Sequence, residues 1–521
     1  MTATFSTQFT VRSGMNYDSL NDRAVPAGAK KQALIIGFVA FVSYAYFYSG
    51  GGWNQNTRFD LVRAIVERGT LSIDAYHENT GDKAFKDGHY YSDKAPGQPL
   101  LALPVAMSAR AVMRAGGANP LSASSLVAIA YICTLFSVAL PAALACACLY
   151  WIALRLGAST NAAAFGALGM GLGTPMWAYA ALFWAHALAG ACLLFAFAAV
   201  LTLDGAEAGQ EVYWGFIVGL MAGWATVTEY PAAPASAIVA LFAVVRVWNG
   251  GWPRRWRVAC GVAAGALICI LVLMVYLRAT FGSVLHTSYS YYDPNAFPWM
   301  NRGFHGLRYP RIDVAFKLLF GMKRGLFIAA PVLIAGPVGL WLLQKRTVTR
   351  TAGLTAAAIF LYYLLFNASF GEWSAGWSYG PRYMAAGIPM LCVGLAPAWD
   401  HFRKNGRRAS LALLVVSLLF SLIAVSTTPQ PPYQYGAPMT QLLWPSFWSG
   451  NLALNQSSML APIDADAEDA PGAFNLGQLM GLRGLASLLP LLAVWALAGM
   501  VWVTVRECDQ KRMLLSEQTR K

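Results

Sequence analysis

The sequence predicts an all-α integral membrane protein of about twelve spanning helices. Three observations carry that expectation. Hydrophobic residues make up 57% of the 521 residues and charged ones only 12%, too little charge to cover a soluble domain of this size. Apolar runs of about eighteen residues or more recur along most of the chain, each long enough to cross ~30 Å of hydrocarbon. Lysine and arginine, finally, concentrate in alternate short loops, as they do where one side of a membrane is the cytoplasm. The net charge of +14 therefore speaks to topology and anionic lipid. No basic, aromatic-rich soluble module suited to nucleic acid is present.

Read in order, the spans fall near 33–50, 125–154, 160–181, 185–203, 213–228, 230–248, 258–277, 325–343, 352–369, 382–399, 409–427 and 483–504. The polar stretch ending in Lys30-Lys31 precedes an apolar run, Ala33 to Tyr48, with no small-residue cleavage site. It reads as a retained signal-anchor. The run Leu100 to Val112 is short and contains Pro104; counting it as a span would invert every later one. Held at the interface, it leaves Lys30, Lys31, Arg155, Arg246, Arg254, Arg257, Lys345, Arg403 and Arg407 on one side. Only the 204–212 loop, with Asp204, Glu207 and Glu211, runs against this pattern, and acids weigh little in it.

The expected organisation is thus a cytoplasmic tail over 1–32, a transmembrane domain over 33–504 and a cytoplasmic tail over 505–521. The outer side carries polar segments over 51–124, 278–324 and 428–482, with short interfacial helices. Seven of the eight cysteines lie inside apolar runs, as packing residues rather than disulfide or metal ligands.

The spans are nearly free of charge at their centres, where a transporter would place its ionisable groups. Asp60, His186, Glu229 and Arg382 instead sit at outer helix ends, residues far apart in sequence brought to one depth. Each also has a plainer reading. Asp60 lies among Arg58, Arg63 and Glu67, which are free to ion-pair on the wet face of a short helix. His186 fits a hydrogen-bonded structural residue, and Glu229, before Tyr230-Pro231, fits a helix end. The 278–324 loop holds Arg302, Arg308, Arg311, Lys323 and Arg324, either a phosphate pocket or a surface drawn to anionic lipid.

Four outer motifs stand out. The loop after the first span opens Gln55-Asn56-Thr57-Arg58-Phe59 and closes Asp93-Lys94-Ala95-Pro96; later come Lys323-Arg324-Gly325-Leu326-Phe327 and Gly380-Pro381-Arg382-Tyr383. In these motifs and in its first six or seven spans the chain resembles the GT-C membrane glycosyltransferases. The likeness is to the bacterial lipid A aminoarabinose transferases and the protein O-mannosyltransferases, whose loop runs Asp-Glu-x-Arg-Tyr and then Glu-Lys-Pro-Pro. The charge pattern places both termini in the cytoplasm, and the resemblance implies a bacterial inner-membrane enzyme with a periplasmic active site. It implies a polyprenyl-phosphate sugar as donor, inversion at the anomeric carbon, and a lipid, glycan or protein acceptor.

Lys94 falls on the family's donor-phosphate lysine, with Arg382, Arg324 and Arg58 as further phosphate ligands. Where the family has its first acid, this chain has Gln55 and Asn56, which take no proton. The candidates for a catalytic base are Asp60, placed first, with Asp93, Glu229 and His186; a phosphate acceptor would need none. Gln55, Asn56, Glu372 and Trp377 are candidate sugar contacts. No cofactor is implied with certainty: some GT-C enzymes use a divalent ion, but no ligand spacing here demands a metal. Two other readings stay open, a transporter or flippase of lipid-linked sugar and a catalytically inactive relative that binds it.

Overall fold

Helices account for most of the computed structural model, which describes residues 28–292 and 296–518. In chain order the first eleven are α1 (Ala29–Ala45), α2 (Trp53–Arg68), α3 (Gly97–Ala115), α4 (Ala123–Thr134), α5 (Leu140–Arg155), α6 (Thr160–Leu172), α7 (Met176–Ala180), α8 (Ala185–Thr202), α9 (Ala208–Thr228), α10 (Ala233–Arg246) and α11 (Gly251–Phe281). Most of the segment 1–32 lies outside the described residues, and the helix Leu489–Gln518 continues through much of 505–521.

Among the described residues six helical segments are long and apolar enough to cross a membrane: Ala123–Arg155, Ala185–Gly205, Trp248–Phe281, Thr347–Ser369, Lys404–Thr427 and Gly484–Glu507. The expected count of twelve is not reached on that measure. Several of the other runs are short or interrupted. Helix α1 has 17 residues. Gly173-Thr174-Pro175 divides the 160–181 run into α6 and α7. The 382–399 run breaks into a 3₁₀ turn, Arg382–Gly387, and the helices Ile388–Cys392 and Leu395–His401. Glycine and proline release backbone groups at these breaks, which membrane proteins tolerate where protein surrounds them.

At the centre runs α8, its side chains buried almost without exception. Alanines and Gly190 supply the small surface that lets neighbours close on every side. α9 and α11 pack along their length through glycines on both helices, and a Cβ on Gly219 would lie 2.0 Å from the Val262 carbonyl oxygen. The stretch Leu100–Val112 falls within α3, outside the six spanning segments. Gln98, Ala102, Ala106 and Arg110 bury one face of it, while Met107 and Val112 are exposed. That is the pattern of an element lying on the bundle.

The polar segments after the first span, after α11 and before the last helix pack on one another. Four short strands help: β1 (Phe47–Tyr48), β2 (Lys83–Lys86), β3 (His89–Ser92) and β4 (Phe474–Asn475), with β1 pairing β4 and β2 pairing β3, both antiparallel. Arg63 grips Asp464 at 2.6 and 2.7 Å, and Ser288 Oγ donates to the Asp93 carbonyl at 2.6 Å. The acids that ran against the charge pattern are answered locally. Asp204 takes Arg246 at 2.7 Å, and Glu211 takes Arg254 and Arg257 at 2.6 and 2.7 Å.

The close approach of α9 and α11 is testable. Gly219→Leu is expected to lower the thermal midpoint of the detergent-solubilised protein, at a cost of about 1–3 kcal/mol or more. Gly499→Ala, where an added Cβ meets nothing within 4 Å, serves as the unchanged control.

Candidate functional site

A cavity of about 690 Å³ lies where the polar segments meet one end of the helices. Its polar wall comes from α2, the β2–β3 hairpin and its exit, the start of α8 and the end of α9. Its apolar wall comes from 285–290, from 297–307 and from the end of the helix Thr347–Ser369, with Phe297, Trp299, Phe304, Phe366 and Phe370.

Two buried charge clusters build the polar wall. In the first, Lys94 Nζ lies 3.0 Å from Asp82 Oδ2 and 2.8 Å from Asp93 Oδ2. The hairpin makes this meeting inevitable: Lys83 pairs with Ser92, so Asp82 and Asp93 are the next residues out on facing strands. Burial works against the Lys94 ammonium, but the two carboxylates outweigh it and hold its pKa above the usual range. Two contacts leave one of its three N–H donors free. Burial pushes the Asp93 carboxyl up to about 6, against the pull of Lys94.

In the second cluster, Arg58 donates from Nε to Asn54 at 3.1 Å, from Nη1 to the Ala95 carbonyl at 3.3 Å and from Nη2 to Glu229 at 3.3 Å. His186 Nδ1 meets the same Glu229 oxygen at 3.1 Å. Asn54 and Arg58 are one helical turn apart on α2, which places both on the cavity face. Glu229 caps the C-terminus of α9, and the extended backbone there turns its carboxylate inward.

Arg382 completes the wall. Its guanidinium lies 4.9 Å from the centre of the Trp184 ring and 5.2 Å from that of Tyr383, and its buried Nε has no hydrogen-bond partner. Trp184 is fixed in turn, donating from Nε1 to Gln55 Oε1 at 2.7 Å and stacking on Tyr179. The cation is thus oriented by aromatic faces, while part of its donor capacity is left for something else.

The structure gathers Arg58, Asp93, Lys94, His186, Glu229 and Arg382 on this one cavity and places the remaining expected residues elsewhere. Asp60, first among the candidate bases, is buried outside the cavity lining, accepting from Asn79 at 3.3 Å with its other oxygen unpartnered. Burial pushes its carboxyl well above the usual range. Gln55 is spent on Trp184 and the Gly51 carbonyl, and Asn56 on Gly52 N–H and the carbonyls of Asn79 and Ser458. Arg324 is buried, donating to the carbonyls of Ser374, Gly376 and Ser378. It thereby shapes the loop that leads into Arg382. Glu372 accepts from Ser374, and Trp377 is half exposed; neither lines the cavity.

Asp82, Asn54, Tyr230, Tyr289 and Tyr383 line the cavity without having been picked out from the sequence. For Asp82 the signal was present. Asp87-Gly88, both at positive φ, is a strong hairpin signal, and a hairpin centred there sets 82 opposite 93. Among the described residues no cluster of three or more His, Cys, Asp or Glu side chains is placed to hold a metal.

No family model matches the chain, and sequence comparison finds no characterised relative. Comparison with solved structures does. ArnT from Cupriavidus metallidurans, bound to undecaprenyl phosphate, matches with a TM-score of 0.51 at 19% identity, over 92% of this chain and 75% of that one. Its apo state matches with a TM-score of 0.50 at 18% identity, over 92% and 76%. The Archaeoglobus fulgidus oligosaccharyltransferase follows at 0.45 and 13% identity, over 78% and 57%, too distant to argue from. The GT-C-like fold expected from the motifs is the fold this chain has.

Asp60 offers a pH-dependent test of the burial argument. Its folded pKa is raised above the unfolded one, so its neutral form favours the fold at low pH and that contribution fades as pH rises through the folded value. Asp60→Asn is expected to raise the thermal midpoint at pH 7.5, with the gain shrinking toward pH 4.

Proposed function

We propose that this chain is a membrane glycosyltransferase that takes a sugar from a polyprenyl-phosphate carrier and passes it to an acceptor on the outer face of a bacterial inner membrane. The observation that carries this reading is the cavity itself. Three cations, Arg58, Lys94 and Arg382, surround a space with an aromatic wall at the outer ends of apolar helices. A lipid-linked sugar phosphate has that same division, an anionic head on a hydrocarbon tail. The fold shared with ArnT, which has been solved with undecaprenyl phosphate bound, supports the same ligand class.

The chemistry follows from the residues. In such a transfer the bond between the anomeric carbon and the phosphate oxygen breaks, and its electrons leave with the phosphate. Preorganised cations lower the barrier by meeting that charge as it develops. Lys94 retains a free N–H, and Arg382 has an unpartnered buried Nε, so both donate without first giving up a protein partner. Arg58 is more fully committed to Asn54, Ala95 and Glu229, and its part is to hold the wall in place. Cavity tyrosines and His186 offer hydrogen-bonding groups for sugar hydroxyls.

A flippase of lipid-linked sugar would carry its polar groups down the spans, whereas the paired charges described here stand at one end. The test is a mass comparison of cell-envelope glycans and glycolipids in wild type, a deletion strain, and the deletion complemented with Lys94→Ala. One sugar mass missing from both altered strains is the expected result. Full rescue by Lys94→Ala would remove the phosphate role of this lysine. Arg382→Ala is expected to cost about a hundredfold in transfer, the scale of losing one donor to developing charge.

A further inference from the structure

Resting on that reading, we infer that the acceptor is a hydroxyl group rather than a phosphate, and that Asp93 takes its proton. Three observations point there.

The first is the charge balance of the cavity. Against Arg58, Lys94 and Arg382 stand Asp82, Asp93 and Glu229. Lys94 is already clamped by two of these carboxyls and Arg58 by the third. The donor phosphate takes the free donors of Lys94 and Arg382. A second phosphate would enter beside three carboxyls with no cation left to meet it, which is costly in a dry site. A neutral hydroxyl acceptor meets no such penalty.

The second is Asp93 itself. Its Oδ2 faces Lys94, while its buried Oδ1 has no hydrogen-bond partner, and the residue lines the cavity. Its main chain is pinned, with the carbonyl accepting from Ser288. The carboxylate is therefore fixed in the cavity wall with one oxygen that no protein donor takes, the uncommitted lone pair a general base requires.

The third is what the neighbouring positions have become. Gln55 and Asn56 are locked into the support of Trp184 and of the 52–56 turn. Asp60 lies outside the cavity lining. Glu229 gives one oxygen to both Arg58 and His186, and against its burial these partners hold its carboxyl below the usual range, which makes it a weaker base than Asp93, whose carboxyl burial raises.

The step balances simply. The acceptor oxygen forms a bond to the anomeric carbon, and its proton passes to Asp93 Oδ1. The bond from that carbon to the phosphate oxygen breaks, and the electron pair leaves on polyprenyl phosphate beside Lys94 and Arg382. Asp93 then returns its proton to water. The charged and titratable groups that bear on Asp93 are Lys94 and Asp82 on the hairpin, Arg58 on α2, Tyr230 after α9, Tyr276 on α11 and Tyr289. With the carboxyl held near 6, transfer is expected to be full above that pH and to fall as pH drops through it.

The test uses the full chain in its own membrane and the linkage of the sugar that depends on it. A sugar on phosphate is released by mild acid, because phosphate is a good leaving group; a sugar on a hydroxyl survives. The expected result is a chain-dependent sugar stable to mild acid, lost about a hundredfold or more in Asp93→Asn. Purified Asp93→Asn is expected still to crosslink to a photoreactive polyprenyl phosphate, which shows it folded and able to bind donor. Asp93→Glu is expected to move the acidic limb of the pH profile. Release of the sugar by mild acid, or transfer undiminished in Asp93→Asn, would overturn the inference while leaving the transferase reading intact. Absence of any chain-dependent sugar would overturn that reading, and this inference with it.

Discussion

Arg58 is the residue on which the site hangs. One guanidinium, almost wholly buried, reaches its own helix at Asn54, the turn before α3 at Ala95 and the end of α9 at Glu229. Through Glu229 it also reaches His186 at the start of α8. Four elements far apart in sequence are joined by a single charge. Burying that charge costs several kcal/mol, which the hydrogen bonds and the facing carboxylate must offset. Without it the Glu229 carboxylate would keep only His186 as a partner, and loss of one member of a buried ion pair is strongly destabilising. The arrangement therefore resists partial formation, and the cavity depends on all of its walls being present together.

A second constraint acts on the same space. The hairpin fixes Asp82 and Asp93 on either side of Lys94 by strand register alone, so the geometry of this cluster is set by local structure. The Arg58 cluster, by contrast, is set by long-range packing of α8 and α9. Arg382 arrives from a third direction, on a segment shaped by Arg324 gathering the carbonyls of 374–378. The site is thus built on rigid supports from three directions, the condition for electrostatics that need no rearrangement during reaction.

Much of this was legible in the sequence. Hydropathy and charge asymmetry marked the membrane class, and the depth argument singled out His186, Glu229 and Arg382, which do meet at one cavity. Lys94 and Asp93 came from the loop motif. Asp60 was placed first for its position in the loop after the first span, but a turn of α2 carries a side chain from one packing environment to another, and Asp60 lies beside Asn79, outside the cavity lining. Gln55 and Asn56 were read as sugar contacts because they stand where the family has acids; their amides instead serve the scaffold. The count of twelve spans is not reached on length and apolarity among the described residues, since hydropathy does not register where Gly173 or Pro175 breaks a helix that protein on all sides can shelter.

The most direct test of the account is a cryo-electron microscopy structure of the full chain in a lipid nanodisc with undecaprenyl phosphate added. The account predicts phosphate density in the cavity, within hydrogen-bond reach of Lys94 and Arg382, with the hydrocarbon tail leaving along the aromatic wall. Phosphate density elsewhere, for instance at the basic cluster of Arg403, Lys404, Arg407 and Arg408, with the Lys94 cavity empty, would contradict it.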